Sequence, residues 1–240
     1  MKHGLGKILH PDQEAYLDRL LPPREALLQE MEALGAERSV PISDPEVGRL
    51  LQALAGAVCG AGGAGGRGGG RIVEVGTAIG YGTLCLARGA PAARVITVDH
   101  DAERLALARG YLERGGVLDR VDLLEGAALE RLARVEGPLD LAYLDGDKRE
   151  YRRTLDLLLP KLRVGGLVVV DNLLWGGSVA APSDDESDEA DDDPQTEAIR
   201  AFNAYFMSHP QLAAVLLPLG DGVGLAAKTK PLITEMGGPF

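Results

Sequence analysis

The sequence predicts an α/β fold: a doubly wound, mostly parallel sheet of seven strands, with N-terminal helices and a C-terminal antiparallel hairpin. Three observations carry this. From residue 71 onwards short apolar runs alternate with helical patterns, the mark of repeated β-α units. Strand, helix, strand repeated in this way means parallel strands covered on both faces. Two final runs flank Gly220-Asp221-Gly222, a hairpin turn signal.

Residues 12–35 read as two amphipathic helices meeting at Pro22-Pro23. Residues 44–59 make a third, with Asp44 as N-cap and Pro45 at the first helical position. Residues 60–70 hold eight glycines in eleven positions and read as a flexible connector. The strands expected next are 71–75, 94–99, 121–125, 139–145 and 167–171, with helices near 81–90, 102–115, 127–134 and 149–162. A further helix over 196–209 precedes the hairpin runs 213–220 and 222–228. The domain plan is thus a helical segment 1–59, the connector, a core 71–230 interrupted by an acidic loop at 183–194, and a tail 231–240.

At 240 residues, 45% apolar and 25% charged, the chain can bury a sizeable core without disulfides or metals as staples. Cys59 and Cys85 fit neither a disulfide framework nor a zinc knuckle, and the four histidines contain no zinc-ligand spacing. No apolar run approaches the roughly 18 residues of a membrane span, and the N-terminus has no signal-peptide core, so the expected location is cytoplasmic. The net charge of −11 is unevenly spread: Asp184–Asp193 carries eight of the 36 acidic residues. The remaining 28 acids nearly balance 25 bases, and a like-charged run of this kind reads as a solvated segment.

In an open doubly wound sheet ligands bind beyond the carboxyl ends of the strands. The first strand ends in Glu74-Val75-Gly76-Thr77-Ala78-Ile79-Gly80-Tyr81-Gly82, whose glycines allow a sharp turn and close approach to a ligand. The second ends in Asp99, nineteen residues after Gly80, where a carboxylate can accept both hydroxyls of a ribose. Gly60, Gly62 and Gly65 match the dinucleotide fingerprint literally, but they follow a helix in a tract where any glycine pattern occurs by chance. The true turn lacks the three-glycine pyrophosphate spacing, which favours S-adenosylmethionine over NAD and speaks against a dehydrogenase.

The fourth strand ends in Asp145-Gly146-Asp147-Lys148 and the fifth in Asp171-Asn172, followed by Trp175. On neighbouring strands Asp145, Asp171 and Asn172 offer three hard oxygens suited to Mg²⁺. Lys148 lies beside them; a lysine near a divalent cation is pushed towards its neutral form and can act as a general base. Each residue alone reads as a cap or turn residue, whereas the set at two strand ends does not. The complete set also speaks against a non-catalytic adenosyl-binding scaffold.

The segments VEVGTAIGYGTLCLA, VDHD, LAYLDGDKREY, GGLVVVDNLLWGGSV and LLPLGDGVGLAAK together resemble the cation-dependent catechol and caffeoyl-CoA O-methyltransferases, in order from about residue 40 to 228. The resemblance implies a Rossmann-like class I methyltransferase fold, a homodimer, S-adenosylmethionine and Mg²⁺. It implies Asp145, Asp171 and Asn172 as metal ligands, Lys148 as base with Asp145 beside it, and Asp99 as the ribose-binding acid. It also implies Ser43, Glu74, Gly76, Gly82, Ala127 and Asp145 around the cofactor. Gly82 departs from the serine usual in relatives, and Ala127 with Ala128 lacks the polar side chains often found near the adenine.

The expected acceptor is a catechol-like or phenolic small molecule held between Trp175, Tyr151 and the N-terminal segment. The alternative is tRNA, because residues 14–43 with EVGTAIGY resemble the bacterial branch that methylates 5-hydroxyuridine at the wobble position. That reading needs a basic face, for which Arg19, Arg24, Arg38, Arg149, Arg152 and Arg153 are the candidates.

Overall fold

The computed structural model describes residues 10–60, 69–180 and 194–230. Residues 61–68 of the connector, the acidic run and the tail lie outside the described residues. So does the Gly62–Gly65 part of the fingerprint match.

Three helices come first: α1 (Pro11–Leu20), α2 (Ala26–Arg38) and α3 (Pro45–Cys59). The break at Pro22-Pro23 is where the sequence puts it. Asp44 occupies the N-cap position of α3 but makes no side-chain capping bond. The core then runs β1 (Arg71–Val75), α4 (Tyr81–Gly89), β2 (Arg94–Asp99), α5 (Ala102–Arg114), β3 (Val121–Glu125), α6 (Ala128–Ala133), β4 (Leu139–Leu144), α7 (Tyr151–Leu158), β5 (Leu162–Val170), α8 (Pro194–Ser208), β6 (Leu212–Leu217) and β7 (Val223–Lys228). The strand order is β3-β2-β1-β4-β5-β7-β6, with β7 antiparallel to both its neighbours. The chain builds outwards from β1 to β3, then returns to start again beside β1 with β4, so the switch point falls between β1 and β4.

The strands are apolar on both faces because both faces are covered. In β1 and β4, Ile72, Leu141 and Tyr143 join the core shared with α3, α4 and α5, while Val73, Val75, Ala142 and Leu144 join the core under α6, α7 and α8. At about 25 cal/mol per Å² of apolar area removed from water, this two-sided burial is the main source of stability. On α1, by contrast, Tyr16, Leu17 and Leu20 are exposed. No described helix is long and apolar enough to cross a membrane. Cys59 and Cys85 are free, buried thiols.

The fifth strand differs from expectation. It begins at Leu162 rather than 167, and α7 stops at Leu158 rather than 162. Pro160 cannot donate to a helical ladder, and Lys228 Nζ donates to the carbonyls of Leu159, past the helix end, and Leu162, the first residue of β5, at 2.8 and 2.7 Å. Gly165-Gly166 sit inside the strand where its register against β4 shifts. In the hairpin, Pro218 lies just past the end of β6, and the loop spans 218–222.

Candidate active site

The β1–β4 switch point is closed at its base by backbone contact. Gly76 has φ +96°, and a Cβ there would lie 2.4 Å from the Asp145 carbonyl oxygen, so no other residue fits without moving β4. The turn that follows is held by Asp99 at the end of β2. Its Oδ2 accepts from Ala78 N at 2.8 Å and its Oδ1 from Asp101 N at 3.0 Å. The next loop is tied in by Gly126 N donating to the Asp99 carbonyl at 2.9 Å, which puts Ala127, at the N-cap of α6, on the same rim.

Beside the turn is a small, open cleft. Ser43, Glu74, Gly76, Gly82 and Asp145 line it, together with Pro41, Ile42 and Tyr81. Five predicted cofactor residues therefore meet in one space, while Asp99 and Ala127 stand along its edge at the adjoining strand ends. Pro41, Ile42 and Ser43, in the strap of chain 39–44 between α2 and α3, form part of its lining. The strap is anchored through Ser43 Oγ, 2.9 Å from Tyr143 Oη. Below it Tyr81 Oη donates to Glu32 of α2 at 2.8 Å, and Arg24 Nε lies 2.8 Å from the same carboxylate.

Glu74 is the buried acid of this cleft. Thr83 and Thr97 donate to its Oε2, and its Oε1 has no partner. Burial pushes its carboxyl up to about 8, against the two threonine hydrogen bonds that favour the charged form. At Gly82 a Cβ would sit 2.5 Å from Glu74 Oε1, so a serine there would require that carboxylate end to shift. The raised carboxyl makes a prediction. Between its ordinary value of 4.5 and about 8 the folded chain keeps a proton that the unfolded chain releases. The cofactor-free protein should therefore lose stability as pH rises through that window and level off above it. Glu74→Gln should match wild type near pH 4.5 and exceed it at pH 8.5 by several kcal/mol, up to roughly 4. Urea denaturation at the two pH values reads this, and parallel pH dependence of the two proteins would contradict it.

At the end of β5, Asp171 is buried, and its carboxyl is pushed up to about 7 by burial and then by the nearby charge of Asp145. Its Oδ1 accepts from Asn172 N at 2.8 Å and its Oδ2 from Tyr143 Oη at 2.9 Å. Asn172 has φ +59°, and its Nδ2 lies 3.5 Å from Asp221 Oδ2, which directs its carbonyl oxygen away from that acid. Lys148 is buried in a 3₁₀ turn before α7, its Nζ 3.0 Å from Asp145 Oδ1 and 5.1 Å from the Tyr151 ring centre. Asp145, Lys148, Asp171 and Asn172 are thus clustered at the ends of β4 and β5, next to the cleft. Among the described residues no group of three or more His, Cys, Asp and Glu is arranged to hold a metal ion; this set has two carboxylates and an amide.

Sequence reading missed two members of this cluster. Tyr143 looks like an ordinary core aromatic in an apolar run, although it lies two residues from Asp145 and so projects from the same side of the strand. Asp221 looks like a turn residue, yet its Oδ1 accepts from Gly176 N at 2.7 Å and braces the segment after β5. The expectation for Tyr151 needs correction. The residue is 2% exposed, packs edge-on against Phe202 and donates to the Asp171 carbonyl at 3.0 Å, so its ring offers no face to an acceptor. Trp175 packs against the core under α7 and α8.

The O-methyltransferase family model matches residues 67–229. The chain belongs to the O-methyltransferase family. This methyltransferase is 33% identical to Tricin synthase 2 of Oryza sativa subsp. japonica over 225 residues, covering 90% of the chain and 74% of the relative. It is 36% identical to Catechol O-methyltransferase of Mycobacterium tuberculosis over 181 residues, 73% and 77% of the two chains. Among solved structures it resembles the O-methyltransferase from Bacillus cereus in complex with SAH, with a TM-score of 0.73 and 28% identity, covering 91% and 97% of the two chains. The enzyme is an S-adenosylmethionine-dependent O-methyltransferase.

Proposed function

We propose that this methyltransferase acts with Mg²⁺ on a catechol-like or phenolic hydroxyl, with Lys148 as the base. The observation that carries the reading is the clustering of Asp145, Lys148, Asp171 and Asn172 at two neighbouring strand ends, immediately beside the cleft lined by Glu74 and Gly76. The residues suit both cofactors. The unpartnered Glu74 Oε1 is an acceptor for an N–H of S-adenosylmethionine, and Asp99 keeps lone pairs for ribose hydroxyls. Ser43, Gly76, Gly82 and Ala127 complete that site. For the cation, two carboxylates and an amide oxygen are hard donors, and a carboxyl raised by burial and then by its neighbour is one that a divalent charge draws down.

When bound, a divalent cation orients an acceptor with adjacent oxygens and lowers the pKa of its hydroxyl. Lys148 Nζ takes the proton of that hydroxyl, and Asp145, 3.0 Å away, holds the resulting ammonium. Glu74 and the turn at Gly76 hold the methyl donor on the other side of Asp145, so the two reactants are brought together along one line of the sheet edge. Positioning of this kind contributes much of the rate.

A small acceptor is favoured over tRNA by the arginines themselves. Arg24 is paired with Glu32, Arg149 with Asp147, and Arg152 lies 4.5 Å over the Tyr205 ring. Arg19 and Arg38 are on other elements, α1 and α2. The catechol in the mycobacterial relative's name points the same way. Incubation with methyl-labelled S-adenosylmethionine, a catechol panel, monophenols and tRNA carrying 5-hydroxyuridine tests the reading. Label on catechols is expected; label on the tRNA alone would overturn it.

A further inference from the structure

The hydroxyl of Tyr143 is the meeting point of the two halves of the site. The residue is 1% exposed on β4, and its ring is packed in the core shared with α3 and α4. Its Oη lies 2.9 Å from Ser43 Oγ, 2.9 Å from Asp171 Oδ2 and 3.4 Å from Asp145 Oδ2. A phenol has one proton to give. The shorter contact to a carboxylate is with Asp171, so the proton belongs there, and the phenol oxygen is left to accept from Ser43. The outcome is a directed line: Ser43 donates to Tyr143, and Tyr143 donates to Asp171. Packing alone does not call for it, since a phenylalanine ring would fill the same space without burying a hydroxyl.

The line has a mechanical consequence at each end. At Asp171 the other oxygen is already held by Asn172 N at 2.8 Å, so the Tyr143 contact fixes the second and with it the plane of the carboxylate. At Ser43 the line ends in the strap that forms part of the cofactor cleft. We propose that Tyr143 is a positioning residue that orients Asp171 for the cation and couples it to the strap, so that cation and cofactor each strengthen the binding of the other. The inference rests on the reading of Asp171 as a cation ligand. Coupling of this kind is reciprocal: whatever factor the cofactor adds to cation affinity, the cation adds to cofactor affinity.

The test is Mn²⁺ binding, followed by the electron paramagnetic resonance signal of the free ion, in wild type, Tyr143→Phe and Ser43→Ala, with and without saturating S-adenosylhomocysteine. Wild type is expected to bind Mn²⁺ more tightly when S-adenosylhomocysteine is present. Tyr143→Phe should bind about 10–100-fold more weakly, the usual cost of losing a residue that orients a ligand, and S-adenosylhomocysteine should no longer change its affinity. Ser43→Ala should keep most of the affinity without S-adenosylhomocysteine and lose the enhancement. Wild-type affinity and enhancement in Tyr143→Phe would overturn the proposal, as would full enhancement in Ser43→Ala should the first variant not fold. Failure of the wild type itself to bind Mn²⁺ would instead remove Asp171 as a ligand, and the proposal with it.

Discussion

Lys148→Ala should lower methyl transfer by about 10²–10⁴-fold, the span that removal of a general base produces, or roughly 3–5 kcal/mol in the barrier. The fold should survive. Lys148 lies in a single 3₁₀ turn, and its contacts are one carboxylate and one aromatic ring rather than a core of its own. Cofactor affinity should stay within a few-fold of wild type, since the residue does not line the cleft. The loss should fall on kcat rather than on KM for S-adenosylmethionine, because proton removal is needed only in the transition state. Steady-state kinetics with the cofactor varied, alongside a thermal melt, checks this, and wild-type turnover in Lys148→Ala would remove the base assignment.

Asp171→Asn should move activity and stability in opposite directions. Methyl transfer should fall by about 10³-fold, equivalent to some 4 kcal/mol of charge stabilisation supplied through the cation. The protein free of cation should become more stable at pH 8. The folded-state carboxyl stands at about 7 against an ordinary 3.8, so wild type loses stability as pH rises between those values and carries the full penalty above them. An amide has no charge to bury and keeps the shape. The advantage of Asp171→Asn should therefore vanish near pH 4 and be largest at pH 8. Denaturation midpoints at both values, with EDTA present, read the sign. A variant that is less stable at pH 8 than wild type would show that the carboxylate is a structural anchor rather than a site held ready for a cation.

The parts of this enzyme that can be read from its sequence are those written in one stretch of chain. A strand followed by its glycine turn, as at Glu74–Gly80, and acids directly after apolar runs, as at Asp145 and Asp171, need only the rule that ligands gather at the carboxyl ends of strands. What stays hidden depends on residues far apart. Ser43 and Tyr143 are 100 positions apart, and Asn172 and Asp221 are 49 apart. Nothing local marks Tyr143 as polar in function, because a tyrosine suits a buried strand for its ring alone. Tyr151 shows the opposite error, since an aromatic near a site invites a binding role until its ring is found enclosed by Phe202. The early start of β5 has no clear local mark, because Gly165-Gly166 interrupt its apolar run and only the neighbouring strand accommodates the irregularity.

As proposed, the cluster at the ends of β4 and β5 works with a divalent cation on adjacent oxygens. The most direct measurement is the initial rate of labelled methyl transfer to a catechol after EDTA treatment, followed by titration with Mg²⁺. The rate should fall to background after chelation and be restored in a saturable manner by Mg²⁺. An undiminished rate in EDTA would contradict the proposal.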